Sequence, residues 1–197
     1  MIEAKAVTVH LKPINVKFMQ VTIEGRSPLI QHKWSEKALR QMREKGEGKK
    51  TKNREPRNPE KEAHDATYFT ADGKNGLPIL AVKSAIIEAA HKDLGVEKTL
   101  VRKAIFLTGD AMLMVPLECD EPIVREDCVR VGNGAADLRY RPQFNRWSAE
   151  VSIEYDADLL QPQDIVNLID RAGFGVGVGD WRPEKNGDMG RFRVRAG

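Results

Sequence analysis

Two cysteines in 197 residues, a 6% share of aromatics and no long apolar run set the first limits on this chain. Cys119 and Cys128 fall in no metal-ligand or redox spacing, so they are expected to be ordinary thiols of a reducing, cytoplasmic compartment. No stretch approaches the roughly 18 apolar residues needed to span a bilayer. MIEAKAVTVHLKP has no basic start followed by an apolar run, so neither export nor membrane insertion is expected. A G-x-x-x-x-G-K-[ST] phosphate loop is absent, and no dinucleotide fingerprint exists: Val178 stands five residues after Gly173, and Asp180 five after Gly175. His10, His32 and His91 show no ligand spacing, and no Ser-His-Asp or Cys-His set can be assembled. No cofactor, metal site or catalytic set is therefore expected.

What the chain does have is unevenly placed. Residues 45–61, KGEGKKTKNREPRNPEK, carry seven Lys or Arg against three Glu, a balance of +4 in a chain whose net charge is +3. Prolines apart, this stretch has nothing apolar to bury, so it is expected to be a mobile loop. It reads either as a solvated surface insertion or as a phosphate-contacting arm. The second concentration is GFGVGVGDWRPEKNGDMGRFRV (173–194), six glycines followed by alternating arginines.

The order of elements gives the fold class. VKFMQVTIEG (16–25) alternates as a strand, as does AVTVHL (6–11) before it. SEKALRQMREK (35–45) reads as a short helix with Ser35 as its N-cap. LAVKSAIIEAAHKDLG (80–95) is the clearest helix, ending on Gly95. AMLMVPLE (111–118) and FNRWSAEVSIEY (144–155) read as strands, with PIVREDCVRV (122–131) a weaker one, and Trp147 falls on the apolar face of its strand and is expected in the core. QPQDIVNLIDRAG (161–173) is a helix with Pro162 in its first turn and Gly173 as its stop. After it, Phe174, Val176 and Val178 alternate with bare glycines and RFRVR (191–195) alternates too, which predicts a β-hairpin around DWRPEKNGDMG. The glycine face invites either a second backbone or a polymer such as nucleic acid. The strongest elements read βαββαβ, an α+β, ferredoxin-like (RRM-like) core in a single domain over 1–197, with residues 35–76 inserted between the first core strand and the first core helix. Such a sheet leaves one face free, and RNA-recognition domains use that face for single strands.

Three stretches carry a resemblance. VGVGDWRPEKNGDMGRFRV is similar to a glycine-rich loop that follows the second helix, LPILAVKSAIIEAA to a first-helix start of the form K-G-A-[LI]-R-x-A-A, and the long insertion lies between first strand and first helix. In these the chain resembles the RAMP superfamily, in particular Cas7-like backbone subunits of CRISPR effector complexes, or a virus- or plasmid-encoded relative using the same fold on single-stranded DNA. Ser84 and Ile87 depart from the helix pattern, and the loop is longer than the family's usual form.

The resemblance implies an antiviral role, no enzymatic activity of its own, single-stranded RNA or DNA as ligand, and copies of itself or other effector-complex subunits as partners. Phosphate contacts need a basic track and bases need exposed aromatics. The candidates are His32 and Lys33 (with Trp34) after the first core strand, Lys49, Lys50, Lys52, Arg54 and Arg57 in the insertion, Lys83 at the first helix start, Gly175, Gly177 and Gly179 on the bare face, and Trp181, Arg182, Lys185 and Arg191 in the last loop and strand. Each also has a plainer role open to it: Trp34 and Trp181 as covers of the core or sheet edge, Lys83 as a solvated lysine. Two rival readings remain. Some RAMP proteins cut RNA through an aspartate of this insertion, which points to Asp65, beside His64, or to Asp72. The chain could also be a structural or inhibitory protein that docks only on other proteins.

Overall fold

The computed structural model describes residues 11–34, 36–47, 56–131 and 134–195. The expected strand at 6–11 lies almost wholly outside these residues, as do the Ser35 cap and Lys49, Lys50, Lys52 and Arg54. In chain order the elements are β1 (Val16–Gly25), β2 (Leu29–Ile30), α1 (Glu36–Gly46), α2 (Pro59–Asp65), β3 (Gly76–Pro78), α3 (Ile79–Leu94), α4 (Lys98–Ala104), β4 (Ile105–Thr108), β5 (Met114–Pro116), β6 (Glu118–Cys119), β7 (Ile123–Val131), β8 (Ala135–Phe144), β9 (Trp147–Asp156), α5 (Pro162–Arg171) and β10 (Phe192–Val194). The class is α+β.

The central sheet runs β10-β1-β9-β4, antiparallel throughout, with β6 added on β9. β1 and β9 pair along nearly their whole length, from Val16 opposite Asp156 to Glu24 opposite Ser148. Because side chains alternate, Val21 and Ile23 of β1 and Ala149, Val151, Ile153 and Tyr155 of β9 all fall on one face. That face is covered by α3 and α5, whose buried Val82, Ile86, Ala89, Ile165 and Ile169 complete the core. Trp147 is buried as expected. Its Nε1 donates to Ser27 O (3.0 Å), and its ring meets Phe192 edge-on at 6.3 Å. A Cβ at Gly25 would lie 2.3 Å from that indole, so this position admits no side chain.

A second sheet, β2-β8-β7, is built on the long β7–β8 hairpin, with α2 packed across it. β3 pairs only with β5. This corrects the expected strand at 111–118 in part: residues 111–113 form an exposed turn with Leu113 at φ 59, residues 114–116 and 118–119 are the short β5 and β6, and both β4 and β6 pair with β9. An apolar run alone does not separate an exposed turn from a ladder.

The expected glycine hairpin is also corrected. α5 does not stop at Gly173; it passes into a π-helical turn, Ala172–Val176, which ends at Gly177 with φ 72. β10 pairs with β1, not with residues 174–178. The insertion carries two helices, and its expected mobile loop at 45–61 is structured where it is described beyond residue 55: Asn58 caps α2 by accepting from Lys61 N (3.0 Å), and Arg57 is fastened to Glu62 and Asp137.

Candidate nucleic-acid interface

The glycine segment runs alongside α3. A Cβ on Gly175 would meet only Asp93, in the last turn of α3, at 3.8 Å, whereas Gly179 and Asp180 share a cavity of about 220 Å³ with Pro78 and Ala81 at the helix start. The segment therefore runs from the last turn of α3 toward its start. Of the two explanations for the glycines, a second backbone accounts for two of them. A Cβ at Gly179 (φ 77) would sit 2.4 Å from Ile30 O, and one at Gly177 would sit 2.8 Å from Pro183 Cδ and 3.1 Å from Gly190 O. Gly175 is open to solvent.

At the start of α3, two distant stretches are locked together. Asp180 N donates to Ile30 O (2.9 Å), and Asp180 Oδ2 lies 3.1 Å from His32 Nδ1. The buried Arg141, only 5% exposed at its side chain, brings Nε within 3.4 Å of the same oxygen, in ion-pair range but not aligned for a hydrogen bond. Arg141 Nη1 also donates to Asp127 Oδ2 (3.3 Å), which Arg125 holds from the other side. Burial works to raise the Asp180 pKa, but the His32 hydrogen bond and the charges of Arg141 and Arg182 outweigh it and hold the carboxyl below its usual range. Burial, with Asp180 close by, pushes the Tyr68 phenol of the same cavity up.

Several residues near the lock in sequence are exposed. Lys33 is exposed beside His32, Trp34 is 53% exposed, and Trp181 is 43% exposed with its backbone left-handed (φ 56). Lys185 is exposed and in no ion pair among the described residues. No side chain caps the first turn of α3, whose N-cap position is Pro78, and Ile79 N donates to Leu113 O (3.0 Å), so that end carries the positive end of the helix dipole.

Other candidates are committed elsewhere. Arg182 donates to Gly179 O (3.0 Å) and to Glu184, which also pairs with Lys92. Arg57 is held by Glu62 and Asp137 and lies 5.5 Å over the Tyr140 ring. Lys83 points away from the helix start: its Nζ reaches Arg102 O (3.3 Å) and the Phe106 ring (4.4 Å), and burial lowers its pKa. Arg191 belongs to the far end of the glycine segment, where its guanidinium lies 5.0 Å over Phe174, a ring 71% exposed. Both line a groove of about 920 Å³ between α3, α5 and β10.

The free face of the central sheet does not suit nucleic acid. It carries Glu150, Glu154 and Asp156 from β9 and Glu118 from β6, none in an ion pair among the described residues, and such a row repels phosphate. Asp65 lies 3.9 Å from His64 on exposed α2, and no group of three or more His, Cys, Asp or Glu is placed to hold a metal ion among the described residues. No described helix is long and apolar enough to cross a membrane. Sequence reasoning missed Asp180, Arg141 and Asp127.

No protein-family model matches the chain, and no curated protein matches it in sequence. Solved structures do. A chain of the Type III-B Cmr-beta complex bound to cognate target RNA superposes with a TM-score of 0.50 at 10% identity, over 92% of this chain and 59% of that one. The likeness is one of fold. The expected resemblance thus holds as a likeness of fold. Cmr6 from Pyrococcus furiosus is also similar, at a TM-score of 0.47 and 10% identity, over 93% of this chain and all of that one.

Proposed function

We propose that this protein binds single-stranded nucleic acid, RNA first, with little regard to sequence, and assembles along the strand as a Cas7-like backbone subunit without cutting it. The core would be ferredoxin-like, formed by β1, α3, β4, β9, α5 and β10, a reading supported by the order β10-β1-β9-β4 and two helices on one face. The observation that carries the functional reading is the lock between Asp180 and the Ile30–His32 segment. It ties the stretch that leads into exposed Lys33 and Trp34 to the loop that carries exposed Trp181, so a cation and two aromatic faces flank one junction beside the start of α3, which supports the reading. The fold likeness to a chain of an RNA-bound complex agrees with RNA as the polymer. The basic insertion would reach over the strand toward a neighbouring copy, and other effector subunits are further partners.

The deciding experiment is fluorescence anisotropy across a salt series with a labelled single-stranded RNA of about 30 nucleotides, its DNA counterpart and a duplex. Tight single-strand binding that weakens steeply with salt is expected, and its rank order separates an RNA protein from a DNA-binding viral relative. Absence of binding at low salt would leave a protein-docking role in its place.

A further inference from the structure

The free face of the central sheet has a pattern of its own. Glu154 of β9 stands opposite Phe18 of β1 on one side and opposite Phe106 of β4 on the other, so the three share one row across the strands. Both rings are open to solvent, Phe18 at 74% and Phe106 at 51%. Glu150 lies four residues before Glu154 on the same face and Asp156 two residues after it. The nearby cations are already engaged: Arg193 and Arg195 hold Glu24 at the β10 side, and Lys83 covers Phe106 at the β4 side. What remains is a carboxylate row with two aromatic rings beside it. Such a face suits the apolar stems and charged heads of lysine and arginine, and it rejects phosphate.

The chain holds one stretch of matching chemistry. Residues 49–54, KKTKNR, carry four cations and no carboxylate in six positions. We propose that the free sheet face, centred on Glu154 between Phe18 and Phe106, docks the 49–54 stretch of a second copy of this chain. The proposal rests on the assembly reading above and names the surface to which the basic insertion of a neighbour runs.

The test uses a labelled peptide of residues 45–58 titrated at low salt onto full-length protein in which Lys49, Lys50, Lys52 and Arg54 are all changed to Glu, which removes the resident competitor. Binding is expected, to weaken about tenfold on adding Glu150→Lys with Glu154→Lys and to weaken again with Phe18→Ser. Equal binding to the face variants, or none to the parent, overturns the proposal. In sedimentation velocity without nucleic acid, the unmodified protein should self-associate, and Glu150→Lys with Glu154→Lys should make it monomeric. A chain that stays monomeric at every concentration and excludes the peptide docks its own stretch, which overturns the second-copy assignment. Glu150→Lys with Glu154→Lys should still hold a short single-stranded oligonucleotide. Loss of oligonucleotide binding in the unmodified protein would instead end the nucleic-acid reading and leave the peptide result standing.

Discussion

Asp180 Oδ2 sits 3.1 Å from His32 Nδ1, joining the last loop of the chain to the segment that leaves its first core strand, 148 residues away in sequence. The contact is part-buried and shared with Arg141, so the loop carrying Trp181 is held by charge as well as by backbone.

Stability should follow the protonation of that carboxylate. Its folded-state pKa is depressed, so its contribution is fully present above the ordinary carboxylate value, about 4, and is lost as pH falls through the lower folded value. Thermal melts of the native protein and of Asp180→Asn should differ most near neutrality and converge as the pH is taken below about 4.

Two glycines of one stretch should answer differently to the same substitution. Gly179→Ala forces a Cβ against Ile30 O in a left-handed backbone and should cost about 1–3 kcal/mol in chemical denaturation. Gly175→Ala meets no atom closer than 3.8 Å and should leave stability nearly unchanged. Any loss of strand affinity in Gly175→Ala would then report the ligand's own approach.

Exposed Lys33 and Lys185 should act as phosphate contacts. Lys33→Ala and Lys185→Ala should each lower the salt slope of RNA binding by about 1, with folding intact. Arg182→Ala should lower the melting temperature as well, because its guanidinium ties Gly179 O to Glu184.

Arg141 should prove a structural charge. With Arg141→Met, Asp127 keeps only Arg125, and a buried carboxylate loses one of its two cations. A loss of about 3 kcal/mol is expected in denaturant unfolding.

RNA should survive the protein. Prolonged incubation with Mg²⁺ or Mn²⁺ should leave a labelled strand uncut, and Asp65→Ala should bind it as the native chain does. Metal-dependent cutting that Asp65→Ala abolishes would restore the cleavage reading.

Periodicity read well where one face of an element meets the core. β1, α3, β9 and α5 all showed their buried stripes in the sequence, and Gly95 does end α3, with φ 67. It misled where residues alternate for another reason. Phe174, Val176 and Val178 mimic a strand, yet the chain continues as a π-helical turn that throws Phe174 outward and leaves Val176 and Val178 buried. β4 and β8 escaped notice, the first because four residues carry little pattern, the second because Arg139, Arg141 and Pro142 mask its alternation. At the candidate interface, the residue types were legible but their pairings were not. Arg125, Asp127, Arg141 and Asp180 form one chain of charges across more than fifty positions, and spacing along a sequence has no term for that.

The last loop closes on itself at its base, where Val178 N donates to Gly190 O at 2.9 Å and Met189 N to Trp181 O at 2.9 Å. A longer turn at the tip of that clasp costs the sheet little, since doubling a closed loop costs only about 0.6 kcal/mol in chain entropy. The exposed turn at Lys185–Asn186 is therefore a graft point, a place where a foreign recognition peptide or a fluorescent reporter could be carried by an otherwise unaltered body.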